Sequence, residues 1–308
     1  MKNKNEYLIV LAGPTAVGKT DVAISLAQTF NCEIISADSR QFYKELKIGA
    51  APPNNEQLEK VKHHFVGFKT ISEYYNVSRY EQDVIKLLPT LFEQNNIVII
   101  TGGSGLYIDA VCNGIDDMPD FDPELREKLS QRMSTEGVES LRMELKKLDP
   151  ITYSKIDLRN KNRIFRALEM CLLTGKPYSD FLLKTPKTRP FNILKIALNI
   201  DRAELHNRIN KRTDKMMEAG LLEEAKSLFP FREHNALKTV GYKELFEYFD
   251  KKTSLEEAVE FIKRNTRRYA RKQISWFNRN NDYAWFAPDQ VSEISGFIQN
   301  EIKKRNNE

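Results

Sequence analysis

The chain has 308 residues, of which 41% are hydrophobic and 30% are charged. This composition is typical of a folded globular protein with one or two domains, and it argues against a disordered chain. No apolar run approaches the ~18 to 20 residues that span a bilayer, and the N-terminus lacks the apolar core of a signal peptide. We therefore expect a protein that is neither exported nor inserted in a membrane.

Cysteine and histidine spacing gives a second constraint. Cys32, Cys112 and Cys171 lie far apart and form no Cys-x-x-Cys pair, and the four histidines show no metal-ligand spacing. The pattern therefore does not favour a disulfide framework or a thiolate zinc site. Together these features indicate a reduced, cytoplasmic protein, and nothing in the sequence demands more than a monomer.

Short apolar segments alternate with helical patterns in the first third of the chain. Strands are predicted at 6–11, 32–36 and 96–101, and helices at 21–30 and 83–94. Short apolar strands separated by helices are typical of a parallel sheet covered by helices on its faces. The first third therefore predicts an α/β fold.

The middle of the chain has a different pattern. Helices are predicted at 123–134, 137–148 and 161–174, with no strand-like run between them. Gly175 and Pro177 follow the third of these helices, and such residues mark helix ends. This part of the chain is therefore predicted to be all-helical.

Strand character returns at 193–200, after a predicted linker at 184–190, and charged helices are expected from there to the end. The simplest organisation is an α/β core of residues 1–115 and 191–308. An all-helical insertion domain of residues 116–190 interrupts this core.

A glycine-rich segment follows the first predicted strand directly and precedes the first helix. It matches the phosphate-loop pattern Gly-x4-Gly-Lys-[Ser/Thr] in full, with Gly13, Pro14, Thr15, Ala16, Val17, Gly18, Lys19 and Thr20. The glycines let backbone N–H groups converge on phosphate oxygens, and the helix N-terminus adds partial positive charge. The Lys19 ammonium would reach the terminal phosphates, and the Thr20 hydroxyl would bind Mg²⁺. The segment predicts a diphosphate or polyphosphate site on a P-loop NTPase-like sheet.

The loop does not identify the phosphate compound, for which ATP or GTP is the default. A nucleotide hydrolase of this class normally has an apolar strand that ends in an Mg²⁺-binding aspartate. The strand at 96–101 leads instead into Gly102 and Gly103, whereas the strand at 32–36 leads to Asp38. Active-site residues lie at the carboxyl edge of such sheets. Asp38 is therefore a candidate magnesium ligand, a candidate general base or the N-cap of a following helix.

Basic residues are concentrated in two segments, although the formal net charge is only +5. Residues 261–280 include seven basic residues, no acidic residue and several aromatic ones. In the second segment, Arg159, Arg163 and Arg166 are spaced to share one face of a helix. A solvated helix face can have the same composition, so the two segments favour nucleic-acid binding without establishing it.

Ordered segments along nearly the whole chain resemble the tRNA dimethylallyltransferase family, also called tRNA isopentenyltransferases. The first half contains GPTAVGKT at 13–20, SADSRQFYKELKIGAAPP at 36–53, HHF at 63–65 and TGGSGLYIDA at 101–110. The second half contains RNKNRIFRALEM at 159–170, TGKP at 174–177, DRAELHNRINKRTDKMMEAGLLEEA at 201–225 and TVGYKEL at 239–245. This ordered combination is far more specific than the phosphate loop alone.

The resemblance implies transfer of a dimethylallyl group from dimethylallyl diphosphate to N6 of the adenine next to the anticodon, at position 37 of tRNA, with Mg²⁺. In such an enzyme the phosphate loop binds the diphosphate of the allylic substrate rather than a nucleotide. Lys19, the loop amides and Mg²⁺ held by Thr20 would stabilise the departing diphosphate. Asp38 would accept the proton of the adenine amine. Arg208 and Arg212 would close over the diphosphate, although an ordinary ion-pairing helix face would have the same spacing.

The resemblance also implies tRNA contacts in both the core and the insertion. They are Asp38, Ser39, Arg40, Gln41, Ser104, Arg126, Asn162, Arg163, Ile164, Phe165, Arg166, Lys238, Thr239, Val240, Gly241, Tyr242 and Lys243. Ser104 stands where the family usually has threonine, which keeps a hydroxyl. Asn162 stands where glutamine is commoner, which shortens the side chain by one methylene.

Other functions remain open from the residues alone. A P-loop kinase or NTPase acting on a small molecule fits the loop, but it needs neither basic segment. An isopentenyltransferase acting on free adenine nucleotides would not need the helical insertion. A non-enzymatic RNA-binding module is disfavoured because Lys19, Thr20 and Asp38 are all present.

Overall fold

A computed structural model describes residues 5–116, 118–120, 122–182 and 186–307. The chain divides into two compact units, one of Met1–Asn113 with Thr188–Glu308 and one of Gly114–Lys187. We call the first unit the core and the second the insertion. Within the predicted linker at 184–190, Lys184 and Thr185 lie outside the described residues.

The core is built on one parallel sheet of six strands. The strands are β1 Tyr7–Ala12, β2 Ile34–Ser36, β3 His63–His64, β4 Ile97–Gly102, β5 Asn192–Leu198 and β6 Tyr283–Phe286. Their spatial order is β3-β2-β4-β1-β5-β6, and every pairing is parallel. The predicted fold class, a P-loop-like parallel sheet flanked by helices, is confirmed.

Thirteen α-helices accompany these strands in the described parts of the chain. They are α1 Lys19–Phe30, α2 Asn55–Lys60, α3 Val77–Gln94, α4 Gly105–Asn113, α5 Pro123–Thr135, α6 Val138–Leu148, α7 Pro150–Lys155, α8 Lys161–Thr174, α9 Arg202–Glu218, α10 Leu221–Leu228, α11 Tyr242–Phe249, α12 Leu255–Phe277 and α13 Val291–Asn306. Short 3₁₀ turns cover Tyr178–Phe181, Phe229–Phe231 and Asn235–Leu237. None of the described helices is long and apolar enough to cross a membrane.

The central strand β1 is buried along its whole length and separates two apolar layers. Alternate residues of a strand point to opposite faces, so Leu8 and Val10 pack into one layer while Ile9 and Leu11 pack into the other. The first layer includes residues of α3, α4, α11 and α12, and the second includes residues of α1, α9 and α13. Burial on both faces explains why the predicted strands are continuous apolar runs.

The insertion has an apolar core of its own, formed by α5, α6 and α8. Leu129, Leu141, Leu145, Ile164 and Leu168 are all buried there. These helices agree with the predicted ones to within one residue at each end, whereas α7 was not predicted. Helix α8 begins after Asn160, whose side chain accepts a hydrogen bond from the Arg163 N–H. Arg159 therefore precedes α8, and the prediction that it shares a helix face with Arg163 and Arg166 is wrong.

The edges of the sheet differ from the sequence prediction. Charged helices were expected from residue 200 to the end, but Tyr283–Phe286 forms β6 and pairs with β5. Strand β3 is two histidines long, and among the strands that the structure describes it pairs only with β2. Both segments are too short to show a recognisable strand pattern in the sequence. Each is stabilised as a strand by pairing with its neighbour in the sheet.

Candidate active site

The phosphate-loop segment Gly13–Thr20 joins β1 to α1, as the sequence predicts. Gly18 precedes the first residue of α1 with a φ of 108°, a left-handed conformation that favours glycine. The Lys19 ammonium donates a 2.8 Å hydrogen bond to the Pro14 carbonyl and so folds back across the loop. Arg208 on α9 donates a 3.2 Å hydrogen bond to the Val17 carbonyl. Helix α9 therefore contacts the phosphate loop through Arg208.

A cavity of about 520 Å³ opens above this loop. Four cationic side chains line it: Lys19, Arg208, Arg212 and Lys215. The other lining residues are Thr15, Ala16, Gly18, Thr20, Asp21, Asp38, Gln41, Ala51, Gln57, Thr101, Gly102, Tyr269 and Gln273. Cations combined with a helix N-terminus favour a multiply charged anion, so we call this space the anion cavity.

The charges in the anion cavity influence one another. The pKa of the Lys19 ammonium is lowered to about 8, mainly by burial; Asp38 opposes this shift and Arg212 adds to it. Burial also lowers the pKa of the Arg212 guanidinium, and Asp38 again opposes the change. A bound diphosphate would favour the charged form of both cations. The buried cations therefore favour the binding of an anion in this cavity.

Asp38 lies in the turn that follows β2. Its Oδ1 accepts a 3.0 Å hydrogen bond from the Arg40 N–H. No helix begins between residues 39 and 54, all of which the structure describes. The suggestion that Asp38 is a helix N-cap is therefore wrong, because the side chain stabilises a tight turn instead.

A second cavity, of about 650 Å³, is also lined by Asp38. We call it the acceptor cavity. It is lined by Thr15, Asp38, Ser39, Arg40, Gly49, Ala50, Ile209, Arg212, Thr213, Met216, Leu221, Lys238, Thr239, Val240, Gly241, Lys243, Glu244, Ile262, Asn265, Thr266, Arg268, Tyr269 and Lys272. Thr15, Asp38, Arg212 and Tyr269 line both cavities. Asp38 is thus one of the residues that separate the two spaces.

The structure brings most of the predicted core contacts together around this cavity. Residues 38–40 and most of the segment 238–243 line it. The Ser104 hydroxyl accepts a 3.2 Å hydrogen bond from the Ser39 N–H and so supports the same turn. Gln41 lines the anion cavity instead, and its side chain is held by the Ala51 carbonyl.

Tyr242 differs from its neighbours in the segment 238–243. Its side chain is fully buried, and its hydroxyl donates a 2.7 Å hydrogen bond to Glu224. The same Glu224 carboxylate accepts hydrogen bonds from the backbone N–H groups of Lys47, Ile48 and Gly49. A tRNA contact through the Tyr242 side chain is therefore excluded by burial, and the residue supports the cavity wall.

Gln273 is the main site residue that the sequence motifs did not identify. It is buried on α12, and its side-chain amide bonds to the Thr15 N–H at 2.9 Å and to the Gly103 carbonyl at 2.8 Å. A Cβ atom on Gly103 would lie 2.1 Å from the Gln273 Nε2, so a larger residue at this position would displace the Gln273 amide. The available signal was a glutamine on the buried face of an amphipathic helix, beside Ala270 and Phe277.

The predicted contacts of the insertion differ in exposure. The side chains of Asn162 and Arg163 are exposed at the start of α8, whereas Ile164 is fully buried in the insertion core. The Ile164 side chain therefore cannot contact tRNA. Arg126 and Arg166 are both paired with the buried carboxylate of Glu169.

The residues of the anion cavity fit a magnesium ion bound together with a substrate. The Thr20 hydroxyl and the Asp38 carboxylate line the same cavity. Mg²⁺ is usually held by one or two protein ligands plus water and substrate phosphates, rather than by a complete protein cage. Among the described residues, no group of three or more His, Cys, Asp or Glu could hold a metal ion by itself.

The fold and the two cavities define a phosphate-loop α/β protein that places a carboxylate between an anion site and a larger basic cavity. Residues 41–280 match the IPP transferase family. The chain belongs to this family, and the family suggested by the sequence motifs is confirmed.

Named relatives agree over almost the full chain. The tRNA dimethylallyltransferase 1 of Bacteroides fragilis is 51% identical, covering 96% of this chain and 98% of the relative. The tRNA isopentenylpyrophosphate transferase of Bacillus halodurans has a similar structure, with a TM-score of 0.72, 34% identity and 98% coverage of both chains. A eukaryotic dimethylallyltransferase acting on tRNA gives a TM-score of 0.75 at 26% identity, covering 93% of this chain and 75% of that one.

Proposed function

We propose that this protein transfers the dimethylallyl group of dimethylallyl diphosphate to N6 of adenine 37 in tRNA. The observation that carries the proposal is the position of Asp38, which lines both the anion cavity and the acceptor cavity. The relatives' names support the same transferase activity. A kinase or nucleotide hydrolase would not need a second basic cavity beside the phosphate loop.

At C1 of the dimethylallyl group the reaction forms one bond and breaks one, and a proton leaves N6. The N6 nitrogen of adenine bonds to C1 of the dimethylallyl group, and the bond from C1 to the diphosphate oxygen breaks. Negative charge then develops on the diphosphate, where Lys19, Arg208 and Arg212 line the cavity. Fixed cations in a site with little water stabilise such charge strongly.

Asp38 takes up the proton that N6 loses. Its Oδ1 is oriented by the Arg40 N–H, which holds the carboxylate at the junction of the two cavities. A carboxylate placed beside the attacking amine contributes about 10²–10⁴-fold to the rate as a general base. Bound Mg²⁺, with the Thr20 hydroxyl as its protein ligand, would supply a Lewis acid that neutralises charge on the diphosphate.

The tRNA contacts both units. In the core, Arg40, Lys238 and Lys243 line the acceptor cavity, into which the adenine enters. In the insertion, Arg163 presents an exposed cation for the phosphate backbone. The enzyme acts as a cytoplasmic monomer.

The test is a transfer assay with purified protein. Unmodified tRNA and dimethylallyl diphosphate are incubated with Mg²⁺ in nucleotide-free buffer, and the nucleosides of the digested tRNA are analysed by mass spectrometry. We expect N6-isopentenyladenosine at position 37, and no product when EDTA replaces Mg²⁺.

Parallel reactions distinguish the alternatives. A strict requirement for ATP would favour the kinase interpretation. Prenylation of free AMP in preference to tRNA would identify a nucleotide isopentenyltransferase. Full activity in EDTA would reject the magnesium part of the proposal alone.

A further inference from the structure

Glu169 is a fully buried carboxylate in the insertion, and two arginines bind it. Its Oε1 accepts a 2.7 Å hydrogen bond from Arg126 Nε, and its Oε2 accepts a 3.0 Å bond from Arg126 Nη2. Oε2 also accepts a 2.6 Å bond from Nη1 of Arg166. The Arg166 guanidinium is held at a further point by the Pro119 carbonyl at 3.3 Å.

This arrangement fixes the planes of two guanidinium groups. A two-point contact between arginine and a carboxylate restricts both position and rotation, and a buried carboxylate is stable only when it is paired in this way. Glu169 has no exposed side-chain surface, whereas 38% of the Arg126 side chain and 29% of the Arg166 side chain remain exposed. The carboxylate therefore lies inside the insertion, and the arginines cover it at the surface.

The two paired arginines carry more charge than the one carboxylate between them. Two guanidinium groups and one carboxylate give a net charge of +1, and Arg163 lies one helical turn before Arg166 on α8. Burial raises the pKa of Tyr178, Asp116 raises it further, and Arg166 and Arg163 lower it, so these three charged groups all lie close to the Tyr178 side chain. The result is a surface on which two guanidinium groups are already ordered, with the carboxylate of Asp116 also nearby.

We propose that Glu169 is a positioning residue, which orders Arg126 and Arg166 before they meet the phosphate backbone of tRNA. This inference rests on the proposed function. Arginine binds phosphate through a planar fork of N–H groups, so its orientation matters as much as its charge. A side chain that is ordered in the free protein loses less entropy on binding.

In the variant Glu169→Gln, a positioning role and a pure charge effect change the affinity for tRNA in opposite directions. Glu169→Gln raises the net charge by one, and charge alone would make tRNA bind more tightly. Positioning predicts weaker binding instead, by about 5- to 100-fold, because two arginine side chains must then be ordered on binding. The measurement is the tRNA dissociation constant by fluorescence anisotropy, together with the transfer kinetics.

The kinetic constants separate positioning from a loss of folded protein. We expect the KM for tRNA to rise, while the rate at saturating tRNA and the KM for dimethylallyl diphosphate stay within about twofold of wild type. A loss of folded enzyme would lower kcat and leave the KM for tRNA unchanged, and this result would contradict the inference.

Two further variants complete the test. Glu127→Gln removes an exposed carboxylate on α5, next to Arg126, and should bind tRNA at least as tightly as wild type. Glu169→Asp keeps the charge but is one methylene too short to reach both arginines, so it should weaken binding by about 2- to 10-fold. If Glu169→Gln melts below the assay temperature, Glu169→Asp decides the question.

Different results would contradict the positioning role of Glu169 and the proposed function. Binding of tRNA by folded Glu169→Gln and Glu169→Asp that equals or exceeds that of wild type overturns the inference but leaves the function intact. A wild-type protein that neither binds nor prenylates tRNA overturns the proposed function and the inference with it.

Discussion

The Oε1 atom of Gln273 accepts a 2.9 Å hydrogen bond from the backbone N–H of Thr15, a residue 258 positions earlier in the chain. Its Nε2 donates to the Gly103 carbonyl at 2.8 Å. One amide group on α12 thereby joins the phosphate loop to the loop that follows β4. Helix α12 also supplies Arg268, Tyr269 and Lys272 to the acceptor cavity, so these hydrogen bonds fix that wall of the cavity relative to the phosphate loop.

Replacing this amide should affect both stability and diphosphate binding. Gln273→Met keeps the length of the side chain but leaves a buried N–H and a buried carbonyl without partners. We expect the free energy of unfolding to fall by about 1–3 kcal/mol, measured by urea denaturation, with a raised KM for dimethylallyl diphosphate. Gln28→Met, at an exposed position on α1, is the control and should change stability by less than about 0.5 kcal/mol. Wild-type stability of Gln273→Met would show that the hydrogen bonds contribute nothing.

Asp38→Asn tests the general base. The substitution keeps the size of the side chain and an acceptor for the Arg40 N–H, but the amide cannot take up the proton. We expect the single-turnover rate of transfer to fall about 10²–10⁴-fold, with tRNA and diphosphate affinities within a few-fold of wild type. Partial recovery at high Mg²⁺ would identify Asp38 as a metal ligand instead. Turnover within about threefold of wild type would exclude both roles.

The lowered pKa of Lys19 predicts a pH dependence of diphosphate binding. The pKa in the free protein is about 8, below its ordinary value of 10.5, and a bound anion raises it again. Below about pH 8 the ammonium is charged in both states, so the affinity is at its maximum. Above that pH the free protein must take up a proton to bind. The dissociation constant should therefore rise, by up to about tenfold per pH unit.

Lys19→Ala is the matched comparison for this pH series. It should bind the diphosphate about 10- to 100-fold more weakly below pH 8 and should lose the rise that begins near that pH. Isothermal titration of a non-reactive diphosphate analogue between pH 7 and 10 measures both effects. An unchanged pH profile in the variant would assign the titration to another group.

Arg163 gives the clearest test of phosphate contact, because its side chain is exposed while Arg166 also pairs with buried Glu169. Arg163→Gln should weaken tRNA binding and reduce the slope of log K against log salt by about one. Its thermal melt should match that of wild type. Lys303→Gln on α13 is the control, since this end of α13 contacts Tyr7 at the start of β1, away from the phosphate loop. Equal slopes of log K against log salt in the two variants would show that Arg163 makes no phosphate contact.

Local sequence determined the features that depend on neighbouring residues. The phosphate loop is one such feature, because its amides, Lys19 and Thr20 are all supplied by eight consecutive positions between a strand and a helix. The buried strands β1 and β4 and the helix α8 were also predictable, since each has its own apolar pattern and end signals. The order of the motifs was sufficient to indicate the family.

Tertiary structure decided which side chains are available for chemistry. Ile164 and Tyr242 lie inside segments that match the family's tRNA contacts, yet both are fully buried. Arg126 is bound to Glu169, 43 positions later, and this partnership is not visible in either local segment. The four-residue strand β6 likewise has no distinctive pattern without β5 beside it.

The meeting of the two cavities at Asp38 is also a tertiary property. It requires the turn after β2, the helix α9 with Arg212, and the helix α12 with Tyr269 to converge on the phosphate loop. Backbone geometry and hydrophobic periodicity act over a few residues, so a sequence reveals them directly. Contacts such as Gln273 with Thr15 depend on how whole elements pack, and only the folded chain brings those atoms within hydrogen-bond distance.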